Sequence, residues 1–185
     1  VSLELLIENY GLIAIFLGTA IEGETAAFLG GVAAHRHLLS YLTASLAASA
    51  GSFAGDQMFF FLGRYLRRLS FVQRIIEKPA VARVNGLLER HPIGFIFAFR
   101  FLPGLRTISP VVIGTTTVPT TTFLLLNVAA AMVWGQLFTS VGYIFGHGVE
   151  QLLGHLSLHL HLIIAMAAAL LLVFAGSVVR RRGSV

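Results

Sequence analysis

From Gly94 to Gly114 the chain reads Gly-Phe-Ile-Phe-Ala-Phe-Arg-Phe-Leu-Pro-Gly-Leu-Arg-Thr-Ile-Ser-Pro-Val-Val-Ile-Gly, and its only charges are Arg100 and Arg106. A charge at bilayer depth costs about 2.5–3.5 kcal/mol even on the gentler insertion scales. Pro103-Gly104 lies between the two arginines. Proline lacks an amide proton and glycine is conformationally permissive, so a helix is expected to break there. Broken backbone at membrane depth is tolerated only where protein or a water-filled cavity covers it. The segment therefore predicts a broken, doubly cationic hairpin inside a membrane protein, with an anion as its guest.

Composition agrees with that setting. Of 185 residues, 56% are hydrophobic and only 11% charged, with mean hydropathy +0.84. A soluble domain is nearer a quarter charged, so the reading is a single all-α integral membrane domain over 1–185. No cysteine is present, which removes disulfides and thiolate metal ligands. The first ten residues lack the basic start and small-residue cleavage site of a signal peptide. The net charge of +5 could suggest nucleic acid, but the basic residues flank apolar spans, which favours the membrane surface.

Three stretches are long enough to cross a bilayer, which takes about 20 apolar residues. They are 39–63, interrupted by Asp56; 120–145; and 156–179, which stops at Arg180-Arg181-Arg182. Two further segments, 12–34 and 93–118, are interrupted near their middles by Glu22-Gly23-Glu24 and by Pro103-Gly104-Leu105-Arg106. Their halves are short, and re-entrant hairpins are the economical expectation. The excess of basic residues on cytoplasmic segments orients the layout. Arg64, Arg67, Arg68, Arg74, Lys78, Arg83, Arg90 and the Arg180–Arg182 triplet make ten of the thirteen lysines and arginines. These are expected to be cytoplasmic, with the C-terminus inside and the N-terminus outside. Arg36 lies on the other side. The connector 66–91 spaces apolar residues such as Leu69, Val72, Ile75 and Ile76 at helical intervals between Arg68, Arg74 and Lys78. It predicts an amphipathic helix on the cytoplasmic surface, broken near Pro79, where anionic lipid is the expected partner.

The chain also carries a weak internal repeat. Gly23-Glu24-Thr25 with Gly30-Gly31 lines up with Gly104-Leu105-Arg106-Thr107 and Gly114, and Gly55-Asp56-Gln57 with Gly135-Gln136. Each half, about 11–65 and about 93–147, reads as hairpin, turn and spanning helix. Combined with the charge count, the two halves enter from opposite sides. The expected fold is thus two re-entrant helical hairpins plus three spanning helices in an inverted repeat, as in many secondary transporters.

Five charges fall in apolar segments: Glu22, Glu24, Asp56, Arg100 and Arg106. Intramembrane ionisable groups mark functional sites by default, and here the acidic hairpin tip is expected to meet the basic one. The alternative is that they are ion pairs locking the hairpins, although buried pairs often add little net stability. Ser109-Pro110 has the form of an N-cap followed by the first helical residue, so the half-helix starting there would aim its amides at the arginines' guest. Guanidinium forks with a helix N-terminus make a phosphate cradle, which a compact carboxylate could also use. Gly51, Gly55 and Gly63 share one face of the first spanning helix and are read as close helix packing. Trp134 reads as core. His155, His159 and His161 are too few in known geometry for a metal site and read as a polar collar; a metal set that adds His35, His37 and His147 is an alternative. No metal or cofactor is expected.

Glu22-Gly23-Glu24-Thr25, Gly55-Asp56-Gln57 with Leu62-Gly63-Arg64, and Phe99-Arg100-Phe101-Leu102-Pro103-Gly104-Leu105-Arg106-Thr107-Ile108-Ser109-Pro110 with Gly114 resemble the DedA family, also called the VTT-domain family. The resemblance covers nearly the whole chain, and the two arginines with Thr107 are its most specific part. It implies two re-entrant hairpins in an inverted repeat, residence in the bacterial inner membrane and a role in moving lipids between leaflets. Undecaprenyl phosphate or a phospholipid would be the cargo. The family's arginines map onto Arg100 and Arg106, and the acid of its first hairpin onto Glu24. Where the family commonly has Pro-Gly before that acid, this chain has Glu22-Gly23, which adds a carboxylate at the tip.

Three functions compete on these residues. A lipid translocase or scramblase would bind a phosphate head on Arg100, Arg106 and Ser109, with Glu22, Glu24 and Asp56 coupling transport to protons. A proton-coupled transporter of a small soluble ion would use the same charges. The hairpins also resemble those of undecaprenyl pyrophosphate phosphatases, but only Thr107 and Ser109 lie near the arginines and neither hairpin holds a histidine. The expected role is therefore not enzymatic, and a homo-oligomer is compatible with it.

Overall fold

The computed structural model describes residues 3–66, 68–102 and 105–153. The sequence expectations for Arg67, the Pro103-Gly104 break, the span 156–179, Arg180–Arg182, His155, His159 and His161 lie outside the described residues. Among the described residues every regular element is helical. They are α1 (Leu3–Ile21), α2 (Glu24–His35), α3 (Tyr41–Tyr65), α4 (Ser70–Ile76), α5 (Ala80–Arg90), α6 (Pro92–Ala98), a 3₁₀ turn (Phe99–Phe101), α7 (Ile108–Thr115) and α8 (Thr120–Leu153).

The chain divides into two compact units, one of Val1–Ser52 with Gly135–Val185 and one of Phe53–Trp134. Helices α3 and α8 contribute to both. Within α8, 120–147 is the one helix among the described residues both long and apolar enough to cross a membrane. At 25 residues, α3 has the length, ~37 Å at 1.5 Å per residue, but Asp56, Gln57 and its alanines, serines and glycines dilute its hydropathy.

In the first unit α1 and α2 form a hairpin. Gly23 turns the chain with φ 98°, a conformation that glycine adopts without Cβ strain. The hairpin closes tightly: a Cβ on Gly18 would stand 2.7 Å from Ala26 Cβ, and one on Gly30 2.8 Å from Ile15 Cδ1. Helix α1 has 19 residues, ~28 Å, and is longer than the short half expected from 12 onward. Glu4, Glu8 and Asn9 lower the hydropathy of its first turns without ending the helix. Helix α2 then crosses α8, where the added Cβ of Gly31 would meet the Thr139 carbonyl oxygen at 2.1 Å and that of Gly142 the Phe28 oxygen at 2.0 Å. Small residues at such crossings let backbones touch. Gly51 takes α3 equally close to Phe16 and Thr19 of α1.

In the second unit α7 crosses α3 by the same device. A Cβ on Gly63 would lie 2.1 Å from the Val111 oxygen, and one on Gly114 2.2 Å from the Phe60 oxygen. Gly51 and Gly63 are thus packing residues, as read from the sequence. Phe60, Phe95, Ile96, Phe99, Val112, Ile113 and Phe123 form the core of this unit.

The connector forms two helices separated at Pro79, as expected, and much of its apolar face packs on protein. Val81, Val84 and Leu88 of α5 pack into the core with Phe95, Phe99 and Ile113, and Val72 and Ile75 of α4 pack on Val111 of α7. Arg74, Lys78, Arg83 and Arg90 stay exposed. Helical spacing identifies the apolar face of a segment but not what covers it; here protein covers Val72, Ile75, Val81, Val84 and Leu88, while Leu69 and Leu87 stay exposed.

Candidate functional site

Three phenylalanines set the floor of the site. Phe60 of α3 and Phe123 of α8 stack at 4.2 Å between centroids, 8° from parallel, and Phe99 continues the stack at 6.3 Å from Phe123. A polar layer stands beside it. Asp56 is one helical turn from Phe60, Asn127 one turn from Phe123, and Arg100 follows Phe99, so the packing that fixes the rings also fixes the polar side chains.

Arg100 sits in the 3₁₀ turn that ends α6. Leu102 precedes Pro103 and is extended at φ −94°, ψ 108°, the region that a following proline favours. The helix therefore tightens and stops just after Arg100. Its Nη2 donates to Asp56 Oδ2 at 2.7 Å and to Asn127 Oδ1, with a longer contact of 3.4 Å to the Asn127 carbonyl oxygen. Arg100 is 2% exposed and Asp56 4%. The pair is an enclosed ion pair in a helical, apolar setting. Removing one partner of such a pair costs about 3–5 kcal/mol, because the other charge is left uncompensated.

Arg106, half-buried, lies with its guanidinium carbon 4.4 Å from the Trp134 ring centroid. Trp134 is fully buried, a core residue as expected, and it serves as a cation–π platform. Asn127 and Trp134 are seven residues apart on α8, two turns or ~10 Å along one face. One face of one helix therefore holds both guanidinium groups, Arg100 at Asn127 and Arg106 at Trp134.

Ser109 is fully buried on α7, and its hydroxyl has no hydrogen-bond partner among the described residues. It is not the N-cap expected from the sequence. Thr107 occupies the cap, and the Ser109 amide donates to the Leu105 oxygen at 2.7 Å, so the turn begins earlier. The far end of α7 is clamped by Arg64. Its Nε donates to the Gly114 oxygen at 2.7 Å and its Nη2 to the Val118 oxygen at 2.6 Å, while its guanidinium covers Phe60 at 4.9 Å.

Of the five charges singled out in the sequence, Asp56, Arg100 and Arg106 belong to the unit of Phe53–Trp134, and Glu22 and Glu24 to the other. Glu22 is exposed in the turn and Glu24 half-buried as the first residue of α2. Asn127 was missed, since one asparagine in an apolar span forms no motif; its polarity within 120–145 was the available signal. Gln57 is also buried, with neither end of its amide partnered among the described residues. His35 lies against Tyr143 and His147, with ring centroids 5.2 and 5.5 Å away. Among the described residues no three histidine, aspartate or glutamate side chains gather as a metal set.

A helical fold with a buried arginine–aspartate pair is what the comparison with known proteins assigns to a family of membrane proteins. The VTT domain matches residues 21–144. The inner membrane protein YohD of Escherichia coli is 37% identical over 98% of this chain and 95% of its own length. The membrane protein slr0232 of Synechocystis is 30% identical over 82% of this chain and 76% of its own length. No solved structure matches. The chain belongs to the VTT-domain, or DedA, family of membrane proteins.

Proposed function

We propose that the protein is a lipid translocase or scramblase of the bacterial inner membrane that moves a phosphate-headed lipid, such as undecaprenyl phosphate or a phospholipid, between leaflets. Arg100 carries the proposal. It is a buried guanidinium paired with the Asp56 carboxylate at 2.7 Å, and an anionic head can replace that carboxylate without changing the charge count. Arg106, on its aromatic platform, is a second planar fork, and such forks grip phosphate oxygens bidentately. Ser109 supplies a buried hydroxyl on the same hairpin.

Protonation of Asp56 would free Arg100 for the lipid head, and Glu22 and Glu24 on the first hairpin are further proton sites. The acyl chains stay in the bilayer. Helices α2 and α7, with 12 and 8 residues, are too short to cross ~30 Å of hydrocarbon, which supports re-entrant hairpins. The inverted repeat is supported by the paired crossings, α2 on α8 and α7 on α3, each through close glycines. With the basic connector on the cytoplasmic side, the C-terminus is cytoplasmic. Transport rather than hydrolysis is favoured because no base among the described residues holds the Ser109 hydroxyl.

The test is leaflet exchange of a fluorescent phosphate-headed lipid in proteoliposomes, with a neutral-headed lipid and radiolabelled inorganic phosphate as parallel arms. Movement of the phosphate-headed lipid, slowed in Arg106→Lys and more in Arg106→Ala at normal yield, is the expected result. Full exchange by Arg106→Ala would remove the anion site. Phosphate uptake without lipid exchange would turn the reading to a soluble-ion transporter.

A further inference from the structure

Two partners of Arg100, Asp56 and Asn127, differ in charge. Asp56 balances the guanidinium; Asn127 accepts from the same Nη2 through its amide oxygen. Asn127 is fully buried, and its Nδ2 has no hydrogen-bond partner among the described residues. An unpartnered buried amide nitrogen next to a guanidinium is costly to keep, and it is a donor beside a donor. A carboxylate at this position would satisfy Arg100 equally well as an acceptor. It would also place two negative charges on one guanidinium.

We infer that Asn127 is the specificity-determining neutral partner of Arg100. It holds the guanidinium in place without cancelling its charge, and its free Nδ2 hydrogens join Arg100 in donating to the anionic oxygens that replace the Asp56 carboxylate. The inference rests on the anion-site reading above and deepens it. When Asp56 leaves, protonated or displaced, Arg100 remains oriented by Asn127, and its positive charge adds to that of Arg106 on the same face of α8. The guest is then a singly or doubly charged oxyanion head that needs a fork and one further donor. Asn127 thus plays two parts, positioning through its oxygen and recognition through its nitrogen.

The experiment uses the full chain in phosphatidylcholine vesicles with a fluorescent phosphatidate, comparing wild type with Asn127→Asp, Asn127→Leu, Asp56→Asn and the exchange variant Asp56→Asn/Asn127→Asp, each checked by thermal stability. Asn127→Asp is isosteric and keeps the acceptor but adds a buried charge, so the exchange variant, which moves that charge without adding one, and the thermal-stability control separate recognition from structure. The expected result is a folded protein whose exchange rate falls about tenfold or more, through loss of binding in the transition state. Exchange is expected to return at least in part when the carboxylate is moved rather than added. Asn127→Leu is expected to raise the half-saturating lipid concentration more than it lowers the maximal rate. Wild-type exchange by Asn127→Asp, or a folded exchange variant as slow as Asn127→Asp, would overturn the inference.

If Arg100→Ala exchanged lipid at the wild-type rate, the lipid reading itself would fall. The role of Asn127 is then decided by titrating inorganic phosphate against the fluorescence of Trp134, the chain's single tryptophan and the platform of Arg106. A response in wild type that is lost in Asn127→Asp supports the role, and an equal response in both refutes it.

Discussion

In the unit of Val1–Ser52 with Gly135–Val185, short helix α2 lies on long helix α8 at Gly31 and Gly142. In the unit of Phe53–Trp134, short helix α7 lies on long helix α3 at Gly114 and Gly63. Each short helix is held again at its C-terminal end, but by different chemistry. In the first unit His35 rests against Tyr143 and His147; in the second Arg64 donates to the Gly114 and Val118 carbonyls. In the first unit the hydroxyls of Thr19 and Ser49 turn back on their own helix, at Ile15 and Ser45, and a cross-helix polar contact there is a neutral one, Tyr41 of α3 with Ser140 and Gln136 of α8. In the second unit, buried polar groups reach across helices, from Arg100 to Asp56 and Asn127. Both units use close glycine crossings, but the Arg100–Asp56 ion pair belongs to the second. The same glycine-on-carbonyl contact thus holds a short helix to a long one in each unit, and the charged cross-helix contacts of Arg100 with Asp56 and Asn127 belong to the second.

The frame is the first place to strike. Gly63→Leu and Gly142→Leu each drive a side chain into a backbone carbonyl near 2 Å, which no rotamer relieves. Both are expected to lose folded protein, a penalty beyond the usual ~1–3 kcal/mol of overpacking. Recovery of monodisperse protein in detergent measures it. If one leucine is tolerated and the other is not, the two crossings are not equivalent and the comparison breaks.

The next largest effect separates the units by charge. Arg100→Ala leaves Asp56 buried and uncompensated, and should cost about 3–5 kcal/mol. Adding Asp56→Asn should recover part of the loss, since the orphaned charge goes with it. A double-mutant cycle in thermal unfolding reads the coupling, and additive losses would show that the two side chains do not depend on each other.

A smaller difference tests the two clamps. Arg64→Met removes two hydrogen bonds from a half-buried guanidinium, each worth about 1.5–3 kcal/mol at most when charged and less with solvent screening. His35→Phe keeps the ring contacts and should shift the melting temperature little. An equal shift from both would show that the chemistry of the clamp does not matter to the helix it holds.

Much of this organisation is legible in the sequence. Long apolar runs gave away α3 and α8, and Glu22-Gly23 and Pro79 marked breaks that the backbone obeys. Arg100 and Asp56 stood out because charge in an apolar run is expensive. Other features depend on tertiary contact, which hydropathy does not carry. Asn127 becomes a site residue only because Phe123, one turn away, stacks on Phe60 and brings α8 beside Asp56. Ser109 loses the cap because the chain begins to turn at Leu105. The first turns of α1 were underrated because Glu4 and Glu8 lower hydropathy while leaving helix propensity intact.

The connector gives the smallest expected effect and the sharpest contrast between a covered and an open face. If α5 lay with its apolar stripe in lipid, Val84→Asp would loosen membrane contact and leave the fold alone. Val84 is instead fully buried among Phe95, Phe99 and Ile113, so Val84→Asp should destabilise the second unit, whereas Arg83→Gln on the exposed side should not change the melting temperature. What Arg83→Gln should change is affinity for anionic lipid, by about 1 kcal/mol per charge near the surface. Arg90→Gln should add a similar amount, and both effects should fade at high salt as the Debye length shortens. Thermal unfolding of detergent-solubilised variants, beside microscale binding to phosphatidylglycerol nanodiscs at low and high salt, separates the two faces. A stability loss from Arg83→Gln as large as that from Val84→Asp would mean that the charged face, too, is held by protein, and the second hairpin would then be enclosed more completely than the packing of α4 and α5 alone requires.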